Sequence, residues 1–164
     1  MLFVRQSSVS DYEPVVLTLA QCVDILANLT GMYRVLVLAD AATVLRISEL
    51  LALRWSDVDW AHWCIRVTRA YVYRKFGPLK SQASKKPVPM HPMLAGSLEE
   101  WRKETPYATD GDLVFPSFRL KGKKPPCANM LVSDHLQPAA RKAGIAGPIG
   151  FPHPAAHASV VRHK

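Results

Sequence analysis

The sequence contains few cysteines and no long apolar run. Cys22, Cys64 and Cys127 are widely spaced and form no Cys-x-x-Cys pair, which excludes a disulfide framework and a zinc ribbon. The longest apolar stretch, residues 35–45, is interrupted by Asp40 and is too short to cross a bilayer. The N-terminus has no basic residue followed by an apolar run and a cleavage site, so we expect a cytoplasmic protein that does not contact a membrane.

Acidic residues are also scarce relative to basic ones. The 164 residues include 13 Asp and Glu against 21 Lys and Arg, a net charge of +8. This excess attracts polyanions such as nucleic acid, although in a chain without a binding motif it indicates only a basic, solvated surface. The hydrophobic content of 49% is enough for one domain with a core, and it argues against disorder.

Residues 42–59 contain the most informative pattern, an arginine at the start of an apolar helical segment. Arg46 is followed at the third position by Glu49. Because an arginine cannot lose its charge, Arg46 requires an anion. That anion is either the carboxylate of Glu49 or a phosphate brought by a ligand, and these residues alone leave both readings open.

The same segment resembles the first active-site box of the tyrosine recombinases, the phage-integrase family, at nearly every position. It departs at Val44, where the family usually has glycine, so the turn before Arg46 is expected to be less relaxed. The resemblance continues in register through three further blocks, which are residues 78–89, 112–116 and 140–145. Four ordered blocks are far more specific than one.

The resemblance implies roles for several basic residues. Arg46 matches the family's first catalytic arginine, whose planar fork grips two phosphate oxygens, and Glu49 is placed to orient that guanidinium from the helix face. Lys80 matches the hairpin lysine held to be the general acid toward the leaving oxygen. Lys85 and Lys86, with Lys80, are candidates for binding the DNA backbone. The alternative reading is that all three lysines form a solvated basic loop.

The second family box is incomplete. His153 matches its leading histidine and His157 its following histidine, but Ala156 replaces the arginine between them. In the family, a tyrosine nucleophile lies well beyond this box, whereas all five tyrosines here precede it, and we interpret them as core or sheet residues. A competing reading takes His153, His157 and His163 as metal ligands, but Pro154 disfavours a helix there and no fourth ligand is evident, so we predict no metal and no cofactor.

Apolar periodicity predicts helices and a small sheet. Thr18 and Gln21 have capping-box spacing for a first helix that ends at Gly31, and a second, more buried helix covers about residues 33–43. A third begins near Arg46, and two later helices cover Leu94 to Trp101 and about residues 133–143, the last capped by Ser133. The remaining predictions are strands in residues 64–73 and 88–90, a turn at residues 76–78, and a Gly- and Pro-rich linker over residues 144–154.

Together these features predict an α+β class, a mainly helical tyrosine-recombinase catalytic-domain-like fold with a small antiparallel β-sheet that lacks the final helices. The predicted organisation is a leader over residues 1–12, a partial catalytic domain over 13–157 and a divergent tail over 158–164. The implied function is binding of double-stranded DNA in site-specific recombination or integration, as in a mobile element, in a protein expected to be defective in catalysis. The alternatives are a non-catalytic remnant that binds DNA or an intact recombinase subunit, and a decay product of a frameshifted gene.

Overall fold

The computed structural model describes residues 17–43, 45–79 and 85–151 of the chain. Within these ranges the chain forms six α-helices and five short strands. The helices are α1 (Leu19–Ala27), α2 (Gly31–Ala42), α3 (Ile47–Leu51), α4 (Pro92–Glu104), α5 (Ala128–Leu131) and α6 (Gln137–Lys142). The strands are β1 (Val58–Asp59), β2 (Cys64–Ile65), β3 (Ala70–Val72), β4 (Lys75–Gly77) and β5 (Val88–Pro89).

The first helix begins as its sequence predicts. The hydroxyl of Thr18 accepts a hydrogen bond from the backbone N–H of Gln21 at 3.2 Å, and the Gln21 side chain accepts one from the Thr18 N–H at 2.9 Å. The predicted end at Gly31 is wrong. The helix ends at Ala27, and Gly31, with φ +53°, is instead the first residue of α2, because the left-handed conformation that glycine tolerates is used here to enter a helix.

The main core lies where α2 packs against α4. Leu36 on α2 and Leu94 and Leu98 on α4 are almost completely buried, and each such leucine stabilises the fold by about 1.5–3 kcal/mol. Trp101 joins the same cluster, and its Nε1 donates to the carbonyl oxygen of Val114 at 2.7 Å. The prediction that the second helix is more buried than the first is confirmed, since Ile25 is the one buried residue of α1.

The strands form two separate antiparallel sheets. One has the order β1-β2-β5, with Ile65 of β2 paired to Val58 on one side and Val88 on the other. The other is the β3–β4 hairpin, in which Val72 pairs with Lys75. The predicted turn at residues 76–78 is therefore wrong, because the chain reverses at Tyr73 and Arg74 and residues 75–77 are a strand.

The last helical segment is longer than predicted and is wound unevenly. It begins at Ala128, so Ser133 lies inside it rather than at its cap, and residues 132–136 form a π-helical turn. Pro138 has no N–H to donate to the carbonyl of Asp134, which accounts for the wider turn just before it. Gly144 follows the helix with φ +77°, as predicted for a helix stop.

Residues 145–151 form no regular element but are not a free linker. Ile145 and Ile149 are buried in a second apolar cluster with residues of α1 and α6. Gln137 holds this segment in place, because its amide nitrogen donates to the carbonyl of Gly147 and its amide oxygen accepts from the N–H of Ile149. Overall, the predicted class, mainly helical with a small antiparallel sheet, is confirmed.

Candidate nucleic-acid interface

Arg46 occupies the N-cap of α3 and is exposed to solvent. Its backbone is extended, with φ −75° and ψ 149°, and the helix begins at Ile47. Leu50 and Leu51, on the next turn, are buried in the main core and fix the helix in place. The guanidinium is thus carried on a rigid support, and among the residues that the structure describes no carboxylate forms an ion pair with it.

Glu49 caps the helix instead of pairing with the guanidinium. Its Oε2 accepts a hydrogen bond from the backbone N–H of Arg46 at 3.0 Å, and the residue is buried. The prediction that Glu49 orients the guanidinium therefore has no support in this geometry, because the carboxylate satisfies one of the free N–H groups at the start of a helix. Among the described residues, the charge of Arg46 is therefore not paired with the carboxylate of Glu49.

A second arginine repeats this arrangement eight residues later. The N–H of Arg54 donates to Oδ2 of Asp57 at 2.9 Å, at the start of a short 3₁₀ helix, Trp55–Asp57. The same carboxylate oxygen accepts from Arg69 at 2.9 Å. Unlike Arg46, Arg54 is partly buried, donates to the carbonyl of Gly111 at 3.3 Å and lies 5.9 Å from the ring centroid of Phe76.

The β3–β4 hairpin lies against α3 and was not predicted as a site. β3 packs directly against α3, so the hairpin is next to the helix that begins at Arg46. Its tip carries Tyr73, which is 94% exposed, followed by the exposed residues Arg74 and Lys75. In the sequence, Tyr73 is followed directly by Arg74 and Lys75 in a strand-forming segment, but strand periodicity alone did not locate the turn.

Of the remaining predicted site residues, the structure describes Lys85 and Lys86. Lys85 and Lys86 are exposed immediately before β5, and no hydrogen bond among the described residues links either of them to α3. Lys80, His153 and His157 lie outside the described residues, so their predicted roles stay predictions.

A basic loop lies elsewhere on the described surface. Residues 117–124 close on themselves through hydrogen bonds from the N–H of Ser117 to the carbonyl of Lys124 and from Gly122 to Ser117. Four exposed cations lie on it, which are Arg119, Lys121, Lys123 and Lys124. The net positive charge is therefore partly concentrated in a short, ordered segment.

Two carboxylates have shifted pKa values for opposite reasons. Burial raises the pKa of Asp40, near the end of α2, from 3.8 to about 6, because the loss of water around the carboxyl group disfavours its charged form. The pKa of Asp59 is lowered, first by a hydrogen bond from the backbone N–H of His62 and then by the side chains of His62 and Arg66. Asp59 is thus held charged at the surface and Asp40 is held closer to neutrality.

The tyrosines differ in their environments. The ring of Tyr33 stacks on His135 with centroids 3.5 Å apart, Tyr71 packs against Phe76, and Tyr107 packs against Phe118. These three fit the interpretation of tyrosines as packing residues. Tyr73 does not, because nearly all of its side chain is in solvent, and Tyr12 lies outside the described residues.

The described residues contain neither a cluster of metal-ligating side chains nor a helix that could span a membrane. No group of three or more His, Cys, Asp or Glu side chains within them is arranged to hold a metal ion. The helices in the same part of the chain do not include one that is long and apolar enough to cross a membrane.

Comparison with known proteins places the chain in a family. It has no match among curated proteins. A solved structure, the crystal structure of XerA recombinase, is similar in fold, with a TM-score of 0.64 at 20% identity over 86% of this chain and 46% of the other. The chain thus spans about half the length of that recombinase. The model of the phage integrase family matches residues 16–164, and the chain therefore belongs to the phage integrase family.

Proposed function

We propose that this chain binds double-stranded DNA in site-specific recombination or integration. The observation that supports this most is Arg46, which lies in the family's first box, is exposed, and has its neighbouring carboxylate Glu49 engaged by the backbone. Among the described residues this guanidinium makes no ion pair, and its planar fork of N–H donors matches the geometry of a phosphate. The net charge of +8 adds a general attraction to the duplex.

In this proposal some basic residues position the DNA backbone and others act on the reacting phosphate. Arg46 binds the phosphate at the reacting position, while Lys85 and Lys86 bind the backbone on either side and fix the register. Lys80 supplies the proton to the leaving oxygen and His153 stabilises the phosphate, with His157 as a further candidate. These assignments follow the positions of the family boxes.

Binding of a fluorescent duplex, measured by anisotropy at two salt concentrations, tests the proposal. We expect a dissociation constant on the order of 10⁻⁶ to 10⁻⁴ M near physiological salt, with little sequence preference. Arg46→Ala should weaken binding and lower the slope of log affinity against log salt by about 1. Arg141→Ala removes the same charge from the exposed end of α6 and is the control.

Three outcomes of this titration are distinct. A slope that falls in Arg46→Ala but not in Arg141→Ala supports a phosphate contact at α3. Equal changes in both variants contradict it, because they indicate only general attraction by charge. No binding by the wild type, even at low salt, contradicts the whole proposal and favours a decay product without function.

We further propose that the chain does not complete strand cleavage. Ala156 stands where the family has the second arginine, and deletion of one donor to a developing oxyanion typically costs about 100- to 1,000-fold in rate. A suicide substrate carrying the cognate site, analysed on a denaturing gel, should then give no covalent adduct. An adduct mapped to any of the five tyrosines, including Tyr73, which is 94% exposed, would contradict this proposal.

A second candidate function follows from the same substitution. A protein that binds recombination sites without cleaving them would compete with an intact recombinase for those sites. Added in excess to an intact family member acting on a shared site, the wild-type chain should slow recombination, and Arg46→Ala should slow it less. Recombination unaffected by a DNA-binding wild type would exclude this competitor function.

A further inference from the structure

The turn at the tip of the β3–β4 hairpin contains residues whose backbone conformation is energetically unfavourable. Val72 pairs with Lys75, so Tyr73 and Arg74 form a two-residue turn, and both have positive φ, 50° and 62°. Such turns strongly favour Asn-Gly, because a side chain with a large Cβ substituent is strained in the left-handed region. A tyrosine followed by an arginine is therefore among the less favourable choices for this position.

Among the described residues, no ion pair or aromatic contact of the tip offsets this cost. Tyr73 is 94% exposed, and Arg74 and Lys75 are also exposed. Within the described part of the chain, none of the three side chains makes an ion pair or an aromatic contact. Strained residues that make no such contacts suggest that they bind another molecule.

The rest of the hairpin is anchored well enough to present this tip in a defined direction. Tyr71 and Phe76 face each other across the two strands with ring centroids 4.8 Å apart, and the guanidinium of Arg54 lies over the ring of Phe76. At the base of the hairpin, Arg69 donates to the carboxylate of Asp57 at 2.9 Å. The tip is thus joined to the same body that carries Arg46.

We propose that the hairpin tip, Tyr73 to Lys75, enters a groove of the duplex beside the phosphate held by Arg46. A two-stranded ribbon fits the major groove of B-DNA. Arg74 and Lys75 would contact phosphates on the groove walls, and the ring of Tyr73 would pack on sugars or base edges between them. Charge complementarity favours DNA as the occupant, because residues 69–76 contain three cations and no acid. The inference rests on the proposed DNA binding.

Removal of the two tip cations tests the phosphate contacts. The double variant Arg74→Ala/Lys75→Ala should lower the slope of log affinity against log salt by about 2, because two phosphate contacts are lost. The control is Arg141→Ala/Lys142→Ala, which removes the same charge from exposed positions at the end of α6. The control should lower the slope by less than half as much.

Tyr73→Asn separates a contact from a structural role. Asparagine tolerates positive φ better than tyrosine, so this variant should melt at the same or a higher temperature than the wild type. Its affinity for duplex DNA should nevertheless fall by about 5-fold, with the salt slope unchanged, because an uncharged contact is lost. If Tyr73 had only a structural role, affinity and melting temperature would change together.

The outcomes distinguish this inference from the proposed function. Wild-type protein that fails to bind duplex DNA contradicts both. Wild-type binding that depends on Arg46 but is unchanged in Tyr73→Asn and in the double tip variant contradicts the hairpin inference alone. A wild-type dimer in sedimentation that dissociates in Tyr73→Asn, with DNA affinity unchanged, would overturn it by showing that the tip contacts a second copy of the chain.

Discussion

Arg46 and Arg54 begin two neighbouring short helices in the same way, yet the Arg54 side chain is partly buried and the Arg46 side chain is exposed. In each case the backbone N–H of the arginine donates to a buried carboxylate three residues on, Glu49 or Asp57. The guanidinium of Arg54 then turns toward Gly111 and Phe76 within the protein. That of Arg46 remains in solvent.

The difference shows that the Arg-x-x-acid spacing encodes a helix start and not an ion pair. The acid is used by the backbone at both places, because an unsatisfied N–H at a helix start costs about as much as a lost hydrogen bond. Whether the arginine is structural or available is decided by what surrounds it. Arg54 contacts Gly111 and Phe76, whereas the Arg46 side chain makes no ion pair among the described residues.

Asp57→Ala should produce the largest change and would break the arrangement around Arg54. It removes the acceptor of both the Arg54 N–H and the Arg69 guanidinium, and the partly buried charge of Arg69 is left without that partner. We expect a loss of about 3–5 kcal/mol in the free energy of unfolding, measured by urea denaturation. Asp110→Ala is the control, since Asp110 pairs with Arg102 but is 78% exposed, and it should cost under about 1 kcal/mol.

Asp40→Asn tests the effect of burial on a carboxylate, because burial raises the pKa of Asp40. The pKa of Asp40 is raised in the folded state from 3.8 to about 6, so the folded state holds the proton more tightly than the unfolded state. Stability is therefore lost as the pH rises from about 4 through about 6. The variant should be more stable than the wild type by about 2–3 kcal/mol at pH 7.5 and no more stable at pH 3.5. An unchanged melting temperature at both pH values would contradict this.

Arg54→Ala should have an intermediate effect. The substitution removes the hydrogen bond to Gly111 and the contact with Phe76 but leaves the backbone cap to Asp57 intact. Part of the loss is offset, because Nε of Arg54 is buried without a hydrogen-bond partner among the described residues. We expect a loss of about 1–2 kcal/mol by urea denaturation. Arg119→Ala, at an exposed position, should change stability by under about 0.5 kcal/mol.

Arg46→Ala should have the smallest effect on stability. The cap from Glu49 to the backbone N–H survives the substitution, and removal of a cation from a helix N-terminus is neutral or slightly favourable. We expect a change within about 0.5 kcal/mol, measured under the same conditions as Arg54→Ala. A loss as large as that of Arg54→Ala would show that Arg46 is also structural and would weaken the proposed phosphate contact.

Local patterns predicted those features that depend on a few neighbouring residues. The capping box of Thr18 and Gln21, the start of α3 at Arg46 and the helix stop at Gly144 all follow from side chains that bond to nearby backbone or from the conformational freedom of glycine. The class of fold followed from periodicity, and the family from four ordered blocks. Where two uses of the same residue were possible, as at Gly31, the local signal was ambiguous and the prediction was wrong.

Residue types and their spacing were enough to predict the helix starts, the apolar faces, the positive charge and the family of this protein. Three features became visible only in the fold: the use of Glu49 by the backbone beside an exposed Arg46, the position of Tyr73 at an exposed tip, and the packing of Ile145 and Ile149 with residues of α1 and α6. The physical reason is that burial and hydrogen-bond competition depend on residues far apart in the chain. A spacing of three residues brings an acid close to an arginine, but the surrounding chain determines which atoms it meets.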